Sequence, residues 1–207
     1  RSGMVEDLTD DFELYAFDFL KESYAMGGTK ALDAVTFDGR LYALPTVADV
    51  ESAVAVIWTR KDWLDELGLE EPQTLDDVER LVRIFKEKKN AGPLPSQQNI
   101  YGVDTASFDF VFAAYDAYPG TWIEADDGTI VYGSVQPQVK DALARLARWY
   151  QDGIIPKDFM LMEGYQAVES VVNGTAGIFQ GAWWSHWWPL MDSVKNDPNA
   201  DWTAIVL

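Results

Sequence analysis

The sequence predicts an α/β fold with a mixed central sheet flanked by helices, and three observations carry that prediction. Apolar runs of strand length recur at residues 53–59, at 176–179 and in the C-terminal TAIVL. Between them lie segments whose apolar residues repeat at the helical period, so that strands alternate with helices. WIEADDGTIVY places Asp-Asp-Gly between two β-prone runs, which reads as an antiparallel hairpin and makes the sheet mixed.

In chain order, the first 35 residues are acidic and weakly helical, with Phe12, Tyr15, Phe19 and Leu20 at spacings that give one apolar face. They read as a lead-in rather than a domain. FDGRLYALP, Phe37 to Pro45, has a DG turn followed by alternating apolar residues, as in a short hairpin ending at proline. AVAVIWT is continuous and partly β-branched, the pattern of a strand buried on both faces. KDWLDELGL is a short helix stopped at Gly68, and Thr74 with Asp77 opens a longer one in a capping-box pattern. Its face is Val78, Leu81, Val82 and Phe85, and it runs to about Lys89.

Asn90 to Gln98 carries Gly and two prolines and reads as a loop, followed by a short strand at Ile100 to Val103. Phe108, Val111, Phe112 and Tyr115 mark a helix near 107–117. After the hairpin, Val139, Leu143, Leu146 and Tyr150 mark a helix that starts near Pro137 and stops at Gly153. Tyr165 to Val172 is a further helix, ended by Asn173 and Gly174. Pro189 begins a last one, which the stretch Asn196 to Asn199 breaks.

Composition narrows the function classes. The 207 residues are 48% hydrophobic and 14% aromatic, enough for a sizeable core. Sixteen basic against thirty-four acidic residues give a net charge of −18, which repels nucleic-acid phosphates and anionic head groups and favours a neutral or cationic ligand. The same charge also serves solubility alone. With no cysteine there is neither a disulfide nor a thiolate metal site. No run reaches the roughly 18 apolar residues of a membrane span. The N-terminal RSGMVEDLTDDFELY lacks a basic and apolar signal pattern, as expected of a mature or excised piece.

Catalytic motifs are sparse. His186 is the only imidazole and no G-x-S-x-G elbow accompanies it. A Walker lysine motif and a dinucleotide fingerprint are missing, so no cofactor is implied. Asp126 and Asp127 are too few for an EF-hand loop and read as a solvated turn, so no metal is expected there. A carboxylate pair for glycoside hydrolysis stays open, with Asp49 and Glu51 the best-placed acids because they sit in a polar break before a buried strand. The same groups bind a sugar hydroxyl with no pKa tuning.

The densest feature is NGTAGIFQGAWWSHWWPL, in which Trp183, Trp184, Trp187 and Trp188 lie within six positions. Trp58, Trp63 and Trp149 read as core residues. Adjacent Trp183 and Trp184 cannot both point into one core from an extended segment, so at least one faces a groove or solvent. Indole faces stack on the C–H face of a pyranose while carboxylates and amides take its hydroxyls. Trp187 and Trp188, leading into Pro189, are expected to be the packed start of the next helix.

The order of motifs closely resembles the extracellular solute-binding proteins of ABC transporters, family 1, sugar-binding, in its larger lipoprotein branch. DGRLYALP, AVAVIWTRKDWLDELGLEEPQTLDDVERLVRIFKE, IYG, DDGTIVYGSVQPQVKDALARLARWYQDGIIPKDF, VVNGTAGIFQGAWW and NDPNADW carry the resemblance, from about Phe37 to the C-terminus. It implies a periplasmic-binding-protein-like lobe, with residues 1–45 a lead-in and crossing segment from the first lobe and 46–207 the second α/β lobe. Two such lobes close over a solute, here an oligosaccharide, and deliver it to ABC permease subunits, with no turnover. It further implies an extracellular parent held at the cell surface by a lipid anchor that this piece lacks.

By the same resemblance the G-x-W aromatic that stacks on sugar is Trp183, with Trp184 beside it. Ser107 and Asp109, opening the helix after the Y-G strand, line the cleft, and Asp49 and Glu51 lie near the lobe junction. The chain departs from the branch where NAGPLPSQQN replaces an Asp- and Asn-rich, calcium-like loop, so no metal is expected there either. With the first lobe largely absent, affinity of this piece alone is expected to be poor. A carbohydrate-active enzyme and a protein-interaction lobe are the alternatives.

Overall fold

In the computed structural model, residues 4–26, 31–46, 54–96 and 107–207 are described. The chain divides into two compact units, residues 1–53 and 54–207.

The first unit holds helices α1 (Thr9–Tyr15) and α2 (Asp18–Ala25) and a hairpin of strands β1 (Thr36–Phe37) and β2 (Arg40–Leu41). The hairpin turns on Asp38 and Gly39, both at positive φ (52° and 75°). Two successive left-handed residues match the right-handed twist of the strands, and Asp-Gly adopts them at low cost. Asp7 ties the hairpin to α1: its carboxylate accepts from the Thr9 amide at 3.0 Å and hydroxyl at 2.6 Å and pairs with Arg40. Tyr24 is buried, and its hydroxyl donates to the Pro45 carbonyl at 2.8 Å.

In the second unit a three-stranded sheet has β3 (Ala55–Arg60) at its centre, between β6 (Ile178–Ala182) and β7 (Trp202–Ile205), both antiparallel to it. Ile57 lies opposite Gln180 and Ile205, and Trp58 opposite Phe179 and Ala204. Successive side chains point to opposite faces. Ile57, Ile178 and Ile205 therefore join the larger core, while Trp58 and Phe179 join a smaller one with Val171, Ala176 and Leu190. The 122–132 hairpin forms as β4 (Trp122–Glu124) and β5 (Ile130–Tyr132), but as its own two-stranded sheet. The described pairs are all antiparallel, and the expected strand at 100–103 lies outside the described residues.

The helices follow the sequence with three informative differences. Helix α3 (Lys61–Leu67) stops at left-handed Gly68, and α4 (Leu75–Lys89) is capped by the Thr74 hydroxyl, which accepts from the Asp77 amide at 3.2 Å. The predicted face of α4, Val78 to Phe85, is fully buried. Helix α5 spans only Asp109–Ala113, because Tyr115 already bonds back three residues and Asp116 turns to φ 52°. Helix α6 (Pro137–Gln151) buries Val139, Ala142, Leu146 and Trp149, while the expected Leu143 and Tyr150 are exposed. Helix α7 (Gly164–Val172) is closed by the Thr175 and Ala176 amides bonding to the Ser170 carbonyl, which delays β6 from residue 176 to 178. Helix α8 (Leu190–Asn196) follows Pro189.

Trp58, Trp63 and Trp149 are core residues, as expected. The Trp149 indole N–H donates to Glu79 at 2.7 Å, tying α6 to α4. Arg60, 2% exposed, forks onto Asp62 (2.7 and 2.6 Å), reaches Asp197 at 3.0 Å and lies over the rings of Trp63 (4.4 Å) and Trp202 (5.7 Å). It joins the end of β3, the start of α3, the end of α8 and β7 around one buried cation.

Candidate functional site

The site grows from the end of β6. After Ala182 the Trp183 amide makes one more bond across the sheet, to the Val54 carbonyl at 3.1 Å, and residues Trp183–His186 then form a 3-10 turn. Ser185 is the inward residue of that turn and fully buried. It sits so close to the strand that a Cβ on Gly181 would stand 2.6 Å from its hydroxyl and from the Phe179 ring, so only glycine fits there. Pro189 and Leu190 are the next inward positions.

Every indole of the cluster consequently faces outward. Trp183 is 41% exposed, Trp184 37%, Trp187 59% and Trp188 46%. The expectation that Trp183 and Trp184 cannot both be buried in one core is met. The packed corner expected of Trp187 and Trp188 is not found, because the small Ser185 and the Pro189–Leu190 pair already fill the space beneath. Trp187 instead packs edge-on against Trp183, with ring centroids 5.6 Å apart and planes at 65°. His186 lies 4.5 Å from the Trp187 ring and its Nδ1 is 3.2 Å from the Trp183 carbonyl. The imidazole is thus part of an aromatic ledge.

A second group stands at the start of α5. Ser107, 1% exposed, donates its hydroxyl to Asp109 Oδ2 at 3.1 Å, and Asp109 is partly exposed. Gln180 of β6, 2% exposed, donates from Nε2 to Ser107 Oγ at 2.5 Å and accepts the Phe110 amide on Oε1 at 3.0 Å. Ser107 and Asp109 are bonded directly, and Gln180, three residues before Trp183, braces Ser107 from β6. Sequence reasoning missed Gln180; the signal was a polar residue inside the apolar run IFQGA. Asp49 and Glu51 lie outside the described residues.

Charged clusters elsewhere are structural. A groove of about 370 Å³ on α4 and α6 is lined by Asp76, Glu79, Arg80, Arg83, Ile84 and Arg148. Its charges bond one another, Arg83 to Glu79 at 2.9 Å and to Asp152 at 2.7 Å. Burial pushes the Glu79 carboxyl up, but bonds from Arg83 and Trp149 outweigh it and leave it below its ordinary value. Asp197 is also held low, first by the Asn199 amide and then by Arg60. Among the described residues no three His, Asp or Glu side chains gather closely enough to hold a metal ion.

Known proteins share this fold. The model of the bacterial extracellular solute-binding protein family matches residues 1–207. Among curated relatives, the lipoprotein LipO of Bacillus subtilis (strain 168) is 28% identical over 161 residues, 72% of this chain and 30% of LipO. The polygalacturonan/rhamnogalacturonan-binding protein YtcQ of the same strain is 28% identical over 153 residues, 71% of this chain and 30% of YtcQ. The chain thus spans about 30% of the length of these relatives. The crystal structure of the alginate-binding protein AlgQ2 without calcium ion superposes with a TM-score of 0.73 at 19% identity, covering 97% of this chain and 41% of AlgQ2, and shows the shared periplasmic-binding-protein-like fold. This chain belongs to the bacterial extracellular solute-binding protein family.

Proposed function

We propose that the chain is part of the solute-binding component of an ABC importer and binds an oligosaccharide in an inter-lobe cleft, without turnover. In this reading residues 46–207 are the second lobe and residues 1–45 a lead-in and crossing segment from the first. The observation that carries it is the aromatic ledge: four outward indoles directly after a fully buried strand, whose Gln180 is bonded to Ser107, the residue that donates to the Asp109 carboxylate. An indole offers its face to sugar C–H groups, and a carboxylate accepts from sugar hydroxyls. Trp183 is the stacking residue, with Trp184 beside it; Ser107 and Asp109 belong to the polar side, and Asp49 and Glu51 to the lobe junction.

The net charge of −18 favours a neutral sugar, although YtcQ and AlgQ2 are named for uronate polymers. The partners are ABC permease subunits, and the parent is held at the outer cell surface by a lipid anchor, in keeping with the lipoprotein among its relatives. The test is a panel of kestose, maltotriose, xylotriose and trigalacturonate on the protein carrying both lobes, read by calorimetry and by release of reducing ends. The expected result is binding of a neutral member with no release, weakened about tenfold or more in Trp183→Ala at unchanged melting temperature, about 1.4 kcal/mol. Release of reducing ends, or unchanged affinity in that variant, contradicts the reading.

A further inference from the structure

We infer that Gln180 is a positioning residue, which acts through Ser107 to hold the Asp109 carboxylate for sugar hydroxyls; this rests on the function proposed above. An amide inside a strand buried along its whole length is costly unless both its ends are bonded, and an aliphatic residue would suit the position better by packing alone. Both ends are bonded, and the partners fix the direction of every proton. The Phe110 amide can only donate, so it faces Oε1, which turns the Gln180 NH₂ toward Ser107. The NH₂ can only donate as well, so it takes a lone pair of the Ser107 oxygen and leaves that hydroxyl hydrogen to Asp109.

The series runs outward from Gln180 and Ser107, both buried, to Asp109, partly exposed. Ser107 therefore serves as a relay, and Asp109 is the member that meets solute. Gln180 lies in β6 and Trp183 opens the turn directly after it, so one strand supports both the relay and the start of the aromatic ledge.

A double-mutant cycle on the two-lobed protein tests this, with the same four oligosaccharides as probes and calorimetric affinity as the readout. Asp109→Ala is expected to weaken binding about tenfold, and Ser107→Ala and Gln180→Met about fivefold each. In the Asp109→Ala background neither substitution weakens binding further, whereas with Asp109 present Ser107→Thr, which keeps the hydroxyl, retains most of the affinity. Near-native affinity in Ser107→Ala, or an equal loss with Asp109 already gone, overturns the relay. Should Gln180→Met fail to fold, the Ser107 cycle alone decides. If Trp183→Ala abolishes binding while Asp109→Ala leaves it intact, the relay is wrong and the sugar site stands. If no probe binds, or Trp183→Ala changes nothing, the site itself is wrong and the relay falls with it.

Discussion

Arg60 is the residue on which the second unit turns. Its guanidinium is planar and weakly hydrated, so it can lie over two indoles and still fork onto a carboxylate, a combination that lysine cannot reproduce. Burial pushes its pKa down, and the bonds to Asp62 and Asp197 outweigh that and raise it. Arg60→Leu is expected to cost about 2–4 kcal/mol in urea unfolding, since it strips two carboxylates of their buried partner. Lys61→Ala, whose pair with Asp65 is solvent-exposed, should leave the urea midpoint nearly unchanged. Equal losses would show that the buried fork carries no special weight. Little of this was legible in the sequence, where RKDW reads as the start of a helix: the second carboxylate, Asp197, is 137 residues away. Gln180 was hidden for a similar reason, its partners being Ser107 and Phe110 on a distant segment.

At the scale of elements, local chemistry was readable where one signal stood alone. The Thr74 cap, the Gly68 stop and the face of α4 each follow from a few adjacent residues, and the structure has them where the pattern puts them. On α6 Val139, Leu146 and Trp149 are buried as expected, but Leu143 and Tyr150, which satisfy the helical period equally well, are exposed and Ala142 takes the inner position, with the Trp149 indole bonded to Glu79 on α4. That contact has a pH signature. The folded pKa of Glu79 lies below its unfolded value of about 4.3. Its stabilisation is therefore present above that value and lost as pH falls through the lower folded one. Glu79→Gln should lower the urea midpoint at pH 7 and leave it nearly unchanged at pH 2. A deficit of the same size at both values would mean that the carboxylate's charge plays no part in joining α4 to α6.

For the molecule as a whole, the order of motifs from DGRLYALP to NDPNADW was enough to identify the family, because strand, cap and turn signals follow one another in a sequence that few folds share. What that order could not show is which indoles face out. The answer depends on Ser185 and Leu190 filling the space beneath them, a three-dimensional volume with no local signature. The proposed function stands or falls with Trp183 and Trp184 as the sugar-stacking surface. The sharpest test reads the nine tryptophan indole N–H resonances of this chain by NMR as a neutral oligosaccharide is added at millimolar concentration. The Trp183 and Trp184 signals are expected to move and broaden while those of buried Trp58, Trp63 and Trp149 stay in place. Shifts confined to other tryptophans, with Trp183 and Trp184 unmoved, would refute that assignment.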